Sequence, residues 1–229
     1  DLMGHQPRAV MEDLKSKLNH ATGREIQLIG EGWNFGEVEN GKRFVQASQL
    51  SLNGSGIATF SDRARDAVRG GGPSDTGEAM IKAQGYINGL FYDANAQASA
   101  DKKQLLAAAD IVRVGLAGSL RNFSFTNYQN QNVSLDKIDY NGQSAGYASQ
   151  PDEVVNYVEN HDNQTLFDMN AYKLPLNTSR AGRARVQILG AAINAFSQGI
   201  AYYHAGIDIL RSKSLDRNRL VLVYMIIFA

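Results

Sequence analysis

An α/β fold with parallel strands is what this sequence predicts, and three observations carry that reading. Short apolar runs alternate with helical periodicities, the runs end in acids or polar turns, and long polar loops follow those ends. From Gln6 the spacing of Val10, Met11, Leu14 and Leu18 is that of one helical face, with Gly23 as its stop. The apolar run Ile26 to Ile29 comes next and leads into Gly30-Glu31-Gly32, a buried strand with an acid at its C-terminal end. A second run, Gly56 to Phe60, ends in Ser61-Asp62-Arg63. Leu105, Leu106, Ala109 and Val112 mark a further helix. A third run, Asp152 to Val158, then ends in Glu159-Asn160-His161-Asp162-Asn163. Val186, Leu189, Ile193 and Phe196 mark the last helix, which leads through Gly199 to a fourth run, Ile200 to Tyr203. Parallel βα units of this kind close into a barrel or stay open as a doubly wound sheet.

Two stretches between these elements, Trp33 to Asn53 and Gly70 to Lys102, are rich in Gly, Asn, Asp and Gln. Loops that long in a compact domain are usually lids or binding loops, and both follow strand C-termini, the face on which (β/α)8 barrels build their sites. The Gly70-Gly71-Gly72-Pro73 cluster is not followed by the Gly-Lys-Ser/Thr of a phosphate-binding loop, so it reads as a flexible loop.

The bulk properties exclude classes without selecting one. At 229 residues the chain suffices for one large domain or two small ones with a real core. Lys plus Arg and Asp plus Glu balance at 23 each, so no net field draws the protein to phosphate backbones or anionic membranes, and a neutral substrate fits. With no cysteine, disulfide frameworks, thiolate nucleophiles and Cys-based zinc sites are all removed, though no compartment is selected. No basic stretch followed by an apolar one opens the chain, and because it starts at Asp1 the true start of the gene product is expected upstream. Leu220 to Ala229 is a run of ten apolar residues, about half of the ~20 that span a bilayer, so no membrane span is expected.

Acids at strand ends suit glycosidic bond cleavage. Retention needs two carboxyl groups about 5–5.5 Å apart, one a nucleophile and one a proton donor to the leaving oxygen. Glu31 and Asp162 each follow a predicted strand, and Asp1 would if a strand preceded it. Singly, each has a plainer reading: helix cap or loop ion pair for the acids, a hydrogen-bonded structural imidazole for His161, and loop anchors for Trp33 and Phe35.

In combination the residues resemble a known family. Asp1-Leu2-Met3-Gly4-His5 is similar to the end of the second signature block of the α-amylase superfamily, glycoside hydrolase family 13. Gly30-Glu31-Gly32-Trp33-Asn34-Phe35-Gly36-Glu37 resembles the third block in its pullulanase and limit-dextrinase form. The fourth is resembled by Val155-Asn156-Tyr157-Val158-Glu159-Asn160-His161-Asp162-Asn163-Gln164-Thr165-Leu166. Ile57 to Arg63 with Arg65 to Gly70 looks like the sixth barrel strand and its sequel, and Gly199 to Gly206 with Leu210 to Ser214 looks like the eighth.

The resemblance covers residues 1 to 218 and implies the C-terminal part of a (β/α)8 barrel, from the end of strand 4 through strand 8. The activity it implies is debranching: retaining hydrolysis of α-1,6 links in pullulan, starch or glycogen-type α-glucans. By position, Asp1 would be the nucleophile, Glu31 the general acid/base and Asp162 the third carboxylate, which stabilises the transition state. His161, Asn163 and Arg63 would contact substrate, while Trp33 and Phe35 would offer apolar faces to glucose rings. Such chemistry needs no cofactor and no catalytic metal, and a structural calcium is compatible with the full-length protein. The implied partner is an α-glucan, with neither nucleic acid nor a membrane.

The chain departs from the family pattern in several places. The first block and the Arg two residues before the nucleophile are missing, and Ser61 stands where Asn is expected. Residues 219–229 are unrelated and apolar, the tail expected of a frame shift or read-through near Asn218. Four strands and part of a fifth leave open edges, so the isolated chain is expected to aggregate and to have little activity. Three rival readings are an α-amylase or isoamylase type hydrolase, a non-catalytic glucan-binding fragment, and an unrelated βα-repeat protein. The Gly-Glu-Gly-Trp string argues against the first. Three acids in matching local contexts argue against the other two.

Overall fold

The computed structural model describes residues 2–98 and 101–217. In chain order its principal elements are α1 (Arg8–Thr22), β1 (Ile29–Gly30), β2 (Ala58–Phe60), α2 (Asp62–Arg69), α3 (Gly77–Lys82), α4 (Lys102–Leu116), β3 (Ser124–Thr126), β4 (Asn132–Ser134), β5 (Asp139–Tyr140), β6 (Gln143–Ser144), β7 (Val154–Asn156), α5 (Leu166–Lys173), α6 (Arg180–Phe196) and β8 (Ile200–Ala201). They fall into two compact units. One runs to Ser61 and takes in Ala117–Asn156 and Gln198–Ile200; the other comprises Asp62–Leu116, Tyr157–Ser197 and the chain from Ala201 onward.

The first unit holds the parallel sheet, in the order β1-β2-β7-β8. Ile29 pairs with Ala58 and Gly30 with Thr59, while Thr59 and Phe60 pair with Val154 and Val155, all parallel. The order follows the chain with no reversal, so this sheet has no topological switch point of the doubly wound kind. Strands buried on both faces read as apolar runs, which is why Ala58, Val154 and Val155 are sealed from solvent. Beneath β1 a cluster of Met3, Ala47, Leu52 and Ile57 is joined by Met11 and Leu28.

The buried carboxylate of Glu153 ties this unit together. Its Oε1 accepts from the amides of Gly54 (2.6 Å) and Gly56 (3.1 Å), and its Oε2 from those of Ser149 (2.8 Å) and Gln150 (3.3 Å). Four donors offset the desolvation of one buried charge, and in doing so they fix the turn that launches β2. Two antiparallel hairpins, β3-β4 and β5-β6, complete the unit. Neither was expected, because strands of two or three residues are too short to show the apolar alternation that marks a strand.

The second unit is helical. Its core is Val68, Ile87, Val112, Val158, Leu166 and Ile207. α2 lies against α4 so closely that a Cβ on Gly115 would sit 2.3 Å from that of Ala64, and only glycine permits the approach. The predicted helices are present as α1, α4 and α6, and Gly23 ends α1 at φ 64°.

The expected faces need correction. In α1, Val10 and Leu14 are exposed; in α6, Leu189 and Phe196 are exposed, and the buried positions are Gln187, Gly190 and Asn194. Polar residues win those sites because each makes a buried bond: Gln187 Nε2 donates to the carbonyl of Ile207 and Asn194 Nδ2 to that of Tyr202. The stretch expected to be a loop from Gly70 to Lys102 contains α3, and that from Trp33 to Asn53 contains a 3-10 turn over Gly36–Gly41 and packs Val38, Ala47 and Leu52 inside. Among the described residues no helix is long and apolar enough to cross a membrane. The apolar tail at 219–229 lies outside the described residues.

Candidate active site

The residues singled out by sequence divide between the two units. Asp1 lies outside the described residues. In the first unit Glu31 leaves the C-terminal end of β1, half-buried, and its carbonyl accepts the amide of Gly4 at 2.7 Å. Glycine makes this contact possible, since a Cβ on Gly4 would meet the Trp33 carbonyl at 2.3 Å. Gly32 is clamped in the same way: a Cβ there would lie 2.6 Å from Thr59 Cγ2 and 2.8 Å from the amide of Gln49, which itself donates to the Gly32 carbonyl at 3.0 Å. The Gly-Glu-Gly string therefore threads an acid between two backbone contacts. Trp33 is half-buried. Phe35 is 47% exposed with its ring 4.6 Å from that of His5, tilted by 52°. The segment from Leu2 to His5 and the segment from Gly30 to Phe35 thus lie side by side.

In the second unit His161 and Asp162 stand exposed on the turn after β7, with His161 Nε2 3.7 Å from Asp162 Oδ1. The Asp162 amide donates to Asn160 Oδ1 at 2.9 Å, and Asn163 takes a left-handed φ of 57° that turns the chain back. Asn163 Nδ2 reaches the Pro73 carbonyl at 3.4 Å.

Arg63 is different. It is 2% exposed and its guanidinium is ion-paired to Asp62.

Sequence reasoning assigned no role to the groups beneath this turn. Glu159 is buried, with Oε1 3.3 Å from Arg211 Nη2 and 3.4 Å from His204 Nδ1, and its Oε2 accepts the Leu166 amide at 2.5 Å. Lys213 donates to the carbonyls of His161 and, at 2.7 Å, Asn163. Burial pushes its ammonium below the usual lysine range, Arg211 pushes the same way, and Asp162, Glu159 and Asp168 oppose them. Asp168 in turn accepts from Ser212 Oγ (2.5 Å) and the Lys213 amide (2.7 Å). The Leu210 to Ser214 string carried the signal, but apolar periodicity says nothing about charged residues that are buried because they are paired. Among the described residues no group of three His, Cys, Asp or Glu could hold a metal ion.

The solved structural neighbours of this α/β chain are glycoside hydrolases. More narrowly, the chain is similar to pullulanases along nearly all its length. It is 43% identical over 218 residues to a pullulanase of Klebsiella pneumoniae, covering 95% of this chain and 20% of that protein. It is 40% identical over 230 residues to chloroplastic pullulanase 1 of Arabidopsis thaliana, covering 95% and 23%. The crystal structure of the maltotriose complex of PulA from Klebsiella pneumoniae superposes with a TM-score of 0.91 at 41% identity, over 95% of this chain and 23% of that one. Apo pullulanase from Paenibacillus barengoltzii gives 0.66 at 29% identity, over 95% and 27%. The chain thus spans about a fifth of the length of the curated relatives it matches. No family model matches it.

Proposed function

We propose that the protein carrying this chain is a retaining glycoside hydrolase that cuts α-1,6 branch links in pullulan- and starch-type α-glucans. Residues 1–218 would supply its (β/α)8 barrel from the end of strand 4 through strand 8, with 219–229 apart from it. The observation that carries this reading is the likeness, at 41% identity and a TM-score of 0.91, to a pullulanase whose structure contains maltotriose. The chain-ordered parallel sheet favours a barrel over a doubly wound fold.

In the proposed chemistry Glu31, protonated, gives its proton to the departing glycosidic oxygen while Asp1 attacks the anomeric carbon. Glu31 then takes a proton from water, whose oxygen displaces Asp1 and releases the sugar. Asp162 neither attacks nor transfers a proton; its charge stabilises the oxocarbenium-like transition state. The Gly4 to Glu31 bond supports pairing Asp1 with Glu31, because the residues just after Asp1 run beside the acid. The exposed face of Phe35 suits a sugar ring, and His161 suits a hydroxyl next to Asp162. Two carboxylates and water account for every bond made and broken, so the reaction needs no cofactor.

Retention has a direct test. When the full-length protein cleaves pullulan, proton NMR of the first product should show an α-anomeric reducing end that mutarotates only later. A β-anomer appearing first would contradict the proposed pairing.

A further inference from the structure

The turn that carries Asp162 is short, exposed and strained at Asn163, yet a buried group lies directly under it. Lys213 is 1% exposed, and its ammonium donates to the carbonyls of His161 and Asn163, the residues on either side of Asp162. Two carbonyls held by one cation pin the 161–162 and 163–164 peptides, so the backbone is fixed just before Asp162 and one residue after it, where Asn163 turns at φ 57°. Lys213 is itself anchored: its amide and the hydroxyl of Ser212 both bind the carboxylate of Asp168 in the first turn of α5. The far side of the turn is closed by Glu159, which takes the Leu166 amide and faces Arg211 and His204. A buried ammonium is costly unless its hydrogen bonds are made.

We infer that Lys213 is a positioning residue for Asp162: by gripping the two flanking carbonyls it sets the direction of a carboxylate it does not touch. The inference rests on the proposed role of Asp162 in glycoside hydrolysis. Asp162 would stabilise charge that develops only in the transition state, so misdirecting it should lower kcat and leave KM nearly unchanged. A merely structural lysine would lower stability and move neither. Lys173 provides the comparison, being equally buried and donating to two carbonyls, those of Arg69 and Gly70.

The test compares Lys213→Met with Lys173→Met in the full-length protein, both substitutions keeping the side-chain length and removing the donors. Lys213→Met is expected to lower kcat on pullulan on the order of 10²-fold with KM unchanged. It should also raise amide hydrogen exchange within 160–166 while the β1 to β2 region stays as in wild type. Lys173→Met is expected to lose thermal stability but keep wild-type kcat below its melting temperature. Wild-type exchange in the 160–166 turn of Lys213→Met overturns the inference, as does an equal loss of kcat in both variants. Wild-type protein that does not cleave pullulan would overturn the proposed function instead, and the exchange measurement would still decide whether Lys213 holds the turn.

Discussion

Glu31 and Asp162 are held by opposite means. Around Glu31 the backbone is confined by contacts that only glycine permits, with Gly4 against the Trp33 carbonyl and Gly32 between Thr59 and Gln49. Around Asp162 the turn is confined by buried charge: Glu159 with Arg211 and His204 on one side, Lys213 on the other. A carboxylate can therefore be aimed by leaving no room for an alternative or by hydrogen-bonding one backbone path. The two solutions should fail in different ways, sterically in the first unit and electrostatically in the second.

The largest effect is expected from Glu159→Gln, which leaves Arg211 without its counter-charge. Urea denaturation should show a loss of about 3–5 kcal/mol, the range for breaking one side of a buried ion pair. A loss below 1 kcal/mol would show that the charge network is dispensable. Gly4→Ala should come next, at about 3 kcal/mol, because the new methyl meets a backbone oxygen that cannot move aside. Its cost should not change between low and high salt.

A smaller effect separates the units by pH. Burial, then Arg69, lowers the pKa of Lys173 from the ordinary lysine value to about 7. Between pH 7 and 10 the unfolded chain holds this proton and the folded chain does not, so stability should rise with pH, by at most ~1.4 kcal/mol per pH unit. A neutral amine keeps two N–H groups, enough for its two carbonyl partners. Arg69, whose pKa burial lowers to about 10, enters only above that window. In Lys173→Met the slope over pH 7–10 should flatten; an unchanged slope would mean another group is responsible. The smallest effect belongs to the surface of α1: Asp13→Ala removes an exposed pair with Lys17 and should cost no more than about 0.5 kcal/mol by thermal denaturation.

The same contrast explains what the sequence revealed. Strands and helices were legible from their spacing, as in α1, α4 and the runs that became β1, β2 and β7, although Val10 and Leu14 on the face expected of α1 are exposed. The Gly-Glu-Gly string was legible as an acid at a strand end and by its resemblance to a signature block, while its tight backbone passage came from the structure. Helix α2 was not, because its eight residues include three arginines, all buried through polar bonds that hydropathy counts as exposed. Glu159 and Lys213 escaped for that reason. The hairpins between Ser124 and Ser144 escaped because their strands are only two or three residues long, too short for a period of two to register. In both units the legible part is what hydrophobic burial dictates, and the illegible part is what pairing between polar groups dictates.

Glu31 is the residue on which the proposed chemistry turns, and its substitution is the most direct measurement. In the full-length protein Glu31→Gln keeps the shape and the hydrogen bonds of the passage but cannot shuttle a proton. Turnover of pullulan should fall by about 10²–10⁴-fold while glucan binding is retained. A variant that hydrolyses pullulan at a rate close to wild type would contradict the assignment.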